Sequence, residues 1–118
     1  EGSIWEAAMS ASHFNLENLT AILDNNNLQQ TGGNSEIMST KSLDLKWSSF
    51  GWEVINIDGH DINQIYEAYK FETKKPKLIL AKTIKGKGFS FSENNNEWHH
   101  KILTKKQYEE AKKEINER

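Results

Sequence analysis

Two short, almost wholly apolar runs constrain this chain more than any other feature of it. One is Leu19, Ala21, Ile22 and Leu23, which ends in the polar cluster Asp24 to Asn27; the other is Leu78 to Ala81, which leads into a loop bearing Gly86 and Gly88. A strand with one wet face alternates apolar and polar residues, so a strand that is apolar throughout belongs in a parallel sheet covered on both sides. Helical patterns surround these runs. Ile4, Ala7, Ala8, Ala11 and Phe14 recur at helical spacing, and Ser3 followed by Glu6 has the form of a capping box. Residues 42–50 read as a second helix stopped by Gly51, and Asp61 caps a third that carries Ile62, Ile65, Ala68, Tyr69 and Phe71 and ends at Lys75 and Pro76. Residues 52–57 make a further strand broken by Asp58 and Gly59, and Thr104 opens a last, highly charged helix. This alternation predicts an α/β fold: a three-layer arrangement of a parallel sheet with helices on both faces, joined by right-handed crossovers.

At 118 residues the chain has room for one domain. Lys and Arg number 15 against 17 Asp and Glu, and this balance gives no general attraction to nucleic acid or to an anionic membrane. The absence of cysteine removes disulfides, zinc thiolate sites and thiol nucleophiles. No apolar run approaches the ~20 residues that cross a bilayer, so a soluble protein is expected, and the lack of cysteine fits a reducing, cytoplasmic setting. The first residue is Glu1 and a helical pattern follows at once, which reads as a piece of a longer polypeptide.

Ligands of open α/β sheets bind at the carboxyl ends of the strands, which directs the search to the loops after Leu23 and Ala81. The first offers Asp24, Asn25, Asn26, Asn27, Gln29 and Gln30, amide and carboxylate oxygens that suit a hard cation such as Mg²⁺ or Ca²⁺. The same residue types also make ordinary turns. The second, Lys82 to Gly88, combines cations with glycines and could cradle phosphate, although its spacing is not that of a Walker loop and a Lys/Gly surface loop has the same composition. Beyond it, Trp98, His99 and His100 set imidazoles beside an aromatic, as donors to a phosphate or substrate hydroxyl or as solvated histidines.

Taken in order, these segments resemble the transketolases over nearly the whole chain. The resemblance runs through residues 1–7 (EGSIWEA), 18–28 (NLTAILDNNNL), 50–54 (FGWEV), 58–60 (DGH), 81–88 (AKTIKGKG), 93–95 (ENN) and Trp98-His99. It implies the partial thiamine-diphosphate-binding fold, with residues 1–118 forming part of one diphosphate-binding domain and the pyrimidine-binding domain absent. By that resemblance the Asn26 side chain and the Leu28 backbone carbonyl help hold a divalent metal, and Gln30 and Lys85 lie against thiamine diphosphate. His99 takes a catalytic part in holding the phosphates or the sugar substrate, while His100 stands where the family usually has glycine. Glu1 and Glu6 match glutamates of a dimer interface.

The activity so implied is transfer of a two-carbon ketol unit from a ketose phosphate to an aldose phosphate in the pentose phosphate pathway. Its partners would be sugar-phosphate substrates and a pyrimidine-binding domain or subunit, in a homodimer or heterotetramer. The metal-binding aspartate is expected just upstream of Glu1, so the isolated chain is expected to be inactive. The alternatives are a dihydroxyacetone synthase-like enzyme and a non-catalytic assembly subunit.

Overall fold

The computed structural model describes residues 1–117, which fall into two compact units: residues 1–25 with 40–83, and residues 26–39 with 84–117. The first unit is built on three parallel strands, β1 (Thr20–Asn25), β4 (Glu53–Asp58) and β5 (Lys77–Lys82). β5 lies between the other two, with Ile79 opposite both Ile22 and Ile55. This central strand carries the most apolar sequence, and every residue from Lys77 to Ala81 is buried.

Alternation of side chains along the strands divides the core into two layers. Leu78 and Leu80, with Ala21, Leu23 and Val54, face helices α1 (Gly2–His13) and α3 (Leu43–Ser49), whose Ala8, Ala11 and Trp47 are buried there beside Trp52. The small side chains of α1 leave room for the indoles. Trp47 and Trp52 meet edge to face at 4.7 Å, and Trp52 Nε1 donates to the Ala8 carbonyl at 2.9 Å. Gly51, with φ of 91°, turns the chain out of α3 at the position where a left-handed residue closes a helix. On the other side Ile79, Ala81 and Ile57 pack with Ala68 and Ile65 of α4 (Ile62–Lys70). The parallel sheet with helices on both faces is therefore the architecture the alternation predicts.

Ile22 departs from that expectation. It is 66% exposed, because β1 is an edge strand and this part of the second face is uncovered. Ile22, Ile57, Ile62, Ile65, Tyr66 and Tyr69 border an apolar groove of about 550 Å³ there.

The ends of α4 are fixed by polar contacts. Asp61 accepts from the Asn63 and Gln64 amides at 2.9 and 3.2 Å and from Gln64 Nε2 at 2.9 Å. The bonds from Gln64, backbone first and then side chain, hold the Asp61 carboxyl below the usual carboxylate range, with the Asn63 amide adding to them. At the other end the buried Lys77 ammonium donates to the carbonyls of Ala68, Tyr69 and Phe71 at 2.9, 2.7 and 2.9 Å, closing the helix C-terminus from the first residue of β5.

The capping box expected from Ser3 and Glu6 is not formed. The helix begins at Gly2 with Glu1 as its N-cap, so Ser3 lies inside the first turn, and its hydroxyl meets the Glu1 carboxylate at 3.5 Å. The box does form at Thr104, which opens α5 (Lys105–Asn116) in the second unit: the Gln107 amide donates to Thr104 Oγ1 and the Thr104 amide to Gln107 Oε1. That unit also holds a small antiparallel pair, β2 (Leu28–Gln29) with β3 (Gly32–Gly33), then the one-turn α2 (Asn34–Ile37) and a 3-10 turn at Asn96–His99.

Candidate functional site

Both segments of the second unit follow directly in sequence from strand ends, after Asn25, the last residue of β1, and after Thr83, the residue that follows β5. In the first unit Thr83 Oγ1 donates to Asp24 Oδ1, which clips those two strand ends together and gives the Asp24 carboxylate a structural task. Gln29 is likewise engaged, its amide donating to the Met38 carbonyl at 2.7 Å. Of the side chains grouped as hard-cation ligands, these two are tied to protein partners, Asp24 through a carboxylate oxygen and Gln29 through its amide nitrogen.

Asn26 is arranged differently. Its Oδ1 accepts the Leu28 amide at 2.9 Å across Asn27, which has a left-handed φ of 60°, so residues 26–28 form a tight Asx turn. The half-buried Asn26 amide oxygen is thereby held against the Leu28 N–H. A carboxamide oxygen has two lone pairs, and the Leu28 amide takes one. A neutral carboxamide oxygen with a lone pair to spare has the chemistry of a hard-cation ligand whose compensating negative charge comes from elsewhere. Among the described residues no cluster of three or more His, Asp and Glu could hold a metal ion by itself.

Gln30 sits at the turn of the β2–β3 hairpin, and its Nε2 lies 3.4 Å from His100 Nε2. The rings of His99 and His100 meet edge to face at 4.4 Å. Three residues singled out from sequence thus form one exposed polar group, with His100 as its centre. Their positions follow from two local devices. The Asn34 amide donates to the Asn27 carbonyl at 3.0 Å, closing the hairpin, and Asn95 Oδ1 accepts the Glu97 amide at 3.0 Å, starting the turn that carries His99.

Lys85 is half-buried in a loop far more ordered than a plain Lys/Gly surface segment. Gly86 has φ of 71°, the Ser92 hydroxyl donates to its carbonyl at 3.0 Å, and the Lys85 carbonyl accepts the Asn94 amide at 2.9 Å. The Glu93 carboxylate accepts the Gly88 amide at 3.0 Å. Phe91 lies 5.1 Å from Trp98, whose Nε1 donates to the Phe91 carbonyl. Lys85 and Trp98 border the same cavity of about 260 Å³. Glu1 and Glu6 lie in the first unit, both exposed, Glu1 as the N-cap of α1 and Glu6 within it.

Sequence reasoning missed the Thr83 to Asp24 clasp and the bond from Ser90 to Glu114, where the carboxylate accepts the Ser90 amide at 2.9 Å and ties α5 to the glycine loop. Their partners are 59 and 24 residues apart. No local pattern announces either.

Residues 1–116 match the family described as transketolase, thiamine diphosphate binding domain. The chain belongs to the transketolase family. It is 43% identical to one subunit of the apulose-4-phosphate transketolase of Phocaeicola vulgatus, covering 100% of this chain and 43% of that subunit. It is 37% identical to human transketolase, covering 98% of this chain and 18% of that protein. A crystal structure of transketolase from Campylobacter jejuni superposes with a TM-score of 0.88 at 29% identity, over 98% of this chain and 18% of that one. The chain therefore spans less than half the length of these transketolase relatives. Among the described residues no helix is long and apolar enough to cross a membrane.

Proposed function

We propose that this chain supplies the diphosphate and metal end of a transketolase-type enzyme that moves a two-carbon ketol unit from a ketose phosphate to an aldose phosphate. The observation that carries the reading is the match of residues 1–116 to the thiamine-diphosphate-binding family, within which the Asx turn at residues 26–28 fixes the Asn26 side chain against the Leu28 amide. When bound, thiamine diphosphate supplies a nucleophilic thiazolium carbon and an electron sink for carbon–carbon cleavage.

The residues of this chain bind and orient. Asn26 and Leu28 would hold a divalent cation, Mg²⁺ or Ca²⁺, through neutral oxygens, leaving charge compensation to the diphosphate and an upstream carboxylate. Lys85 would add positive charge toward phosphate, and Gln30 would present its amide to the cofactor. His99 would donate to phosphate or sugar oxygens near the reacting carbon. Glu1 and Glu6, exposed at the start of α1, would be buried against a partner in a dimer interface.

The chain is more similar to a protein named as one subunit of a transketolase than to human transketolase. That favours an assembly in which the pyrimidine-binding part is a separate polypeptide, a heterotetramer in place of a homodimer. The test is a ketol-transfer assay on the full-length protein with its pyrimidine-binding partner, thiamine diphosphate and Mg²⁺. Turnover is expected from the complete assembly and none from the 118-residue chain alone. Turnover by the isolated chain, or none by the assembly with any ketose and aldose phosphate pair, would sink the proposal.

A further inference from the structure

We infer that His100 is a positioning residue that holds Gln30 and His99 in one arrangement facing the cofactor and substrate oxygens. The inference rests on the cofactor reading given above and extends it to a residue that reading leaves without a role. His100 lies at the end of the 3-10 turn and reaches, across 70 residues of sequence, to Gln30 at the hairpin turn.

Two contacts converge on its ring. Gln30 Nε2 lies 3.4 Å from His100 Nε2, so the amide donates to that nitrogen where its lone pair is free. This fixes which end of the Gln30 amide points away, and so whether an oxygen or a hydrogen is offered to a ligand. The His99 ring stands edge to face against the His100 ring at 4.4 Å and 78°, which limits rotation of the His99 imidazole. All three side chains are exposed, and exposed amide and imidazole rotors otherwise sample several orientations. A side chain touching both neighbours removes part of that freedom before the ligand arrives, and preorganisation of this kind is read as affinity. A glycine at this position would make neither contact.

The test uses calorimetric titration of thiamine diphosphate with Mg²⁺ into the full-length protein. His100→Ala is expected to weaken binding about fivefold, the loss of one ordinary hydrogen bond. His100→Gln, which restores an acceptor for the Gln30 amide, should recover binding to within about twofold of the unsubstituted protein. Because part of the effect of His100 passes through Gln30, the loss in His100→Ala combined with Gln30→Ala should be smaller than the sum of the two single losses. A second readout needs no cofactor: in protein labelled with ¹⁵N-histidine, Gln30→Ala should shift the His100 ring nitrogens and leave those of His13 in place. Unchanged affinity in His100→Ala, additive losses in the double variant, or unmoved His100 resonances would overturn the positioning role while the cofactor site stands. Failure of the unsubstituted protein to bind thiamine diphosphate would overturn both.

Discussion

Replacing Lys77 with methionine is expected to lower the stability of the full-length protein by about 3 kcal/mol, a large share of what a domain of this size possesses. Lys77 is only 5% exposed, yet no carboxylate is needed to hold it there. Its three donors are matched by the carbonyls of Ala68, Tyr69 and Phe71, at the end of α4 where helical carbonyls lack intrahelical partners. The ammonium also sits 5.8 Å from the Tyr69 ring and complements the negative end of the helix dipole. Methionine fills the stem's volume but leaves the three carbonyls without that donor. Loss of the charge-assisted bonds outweighs the relief of no longer burying a cation. The comparison is Lys74→Met, where the side chain is 92% exposed in a 3.6 Å pair with Glu17 and a change within about 0.5 kcal/mol is expected. Urea unfolding separates the two variants, and equal midpoints would contradict this account of α4.

Gly86→Ala is expected to cost the glycine loop about 3 kcal/mol of its own stability, through two independent mechanisms. The backbone at Gly86 has φ of 71°, which an alanine adopts only with strain. An added Cβ would also lie 2.7 Å from the carbonyl carbon and from Oγ of Ser92, and closer still to the Ser92 carbonyl oxygen. Backbone cannot yield as a flexible side chain does, so the hydrogen bond from Ser92 Oγ to the Gly86 carbonyl and that from Asn94 to Lys85 would open together. Amide exchange at Ser92 and Asn94 should quicken by about a hundredfold. Gly2→Ala, where a Cβ meets nothing within 4 Å, should leave that exchange unaltered. Unchanged protection in Gly86→Ala would contradict the loop geometry described.

The elements were legible wherever a single segment carries its own signal. The apolar run at Leu78 to Ala81 gave the central strand, and Asp61 and Thr104 gave two helix starts because both stand in extended backbone just outside the helix, where a side chain can reach back to the free amides. Ser3 has the same chemistry but helical backbone, so the same pattern misled. The β2–β3 pair was illegible, since strands of two residues leave no periodicity to read. Ile22 read as buried because an apolar run cannot reveal that its strand lies at an edge. At the site, residue chemistry alone left Asn26 between ligand and turn former. The structure gives it a turn, and the family resemblance is what suggests the ligand. The link from Gln30 to His100 spans too much sequence for any local reading to find.

The most direct test of the central claim is calorimetric titration of thiamine diphosphate into the full-length protein, with and without Mg²⁺, for the unsubstituted form, Asn26→Ala and Asn26→Asp. Asn26→Asp keeps an oxygen that can accept the Leu28 amide and one that can face a cation, so it should preserve what Asn26→Ala removes. The account predicts tight, Mg²⁺-dependent binding that Asn26→Ala weakens on the order of 10–100-fold and Asn26→Asp largely retains. Binding that ignores Mg²⁺, or that is the same in Asn26→Ala as in the unsubstituted protein, would contradict it.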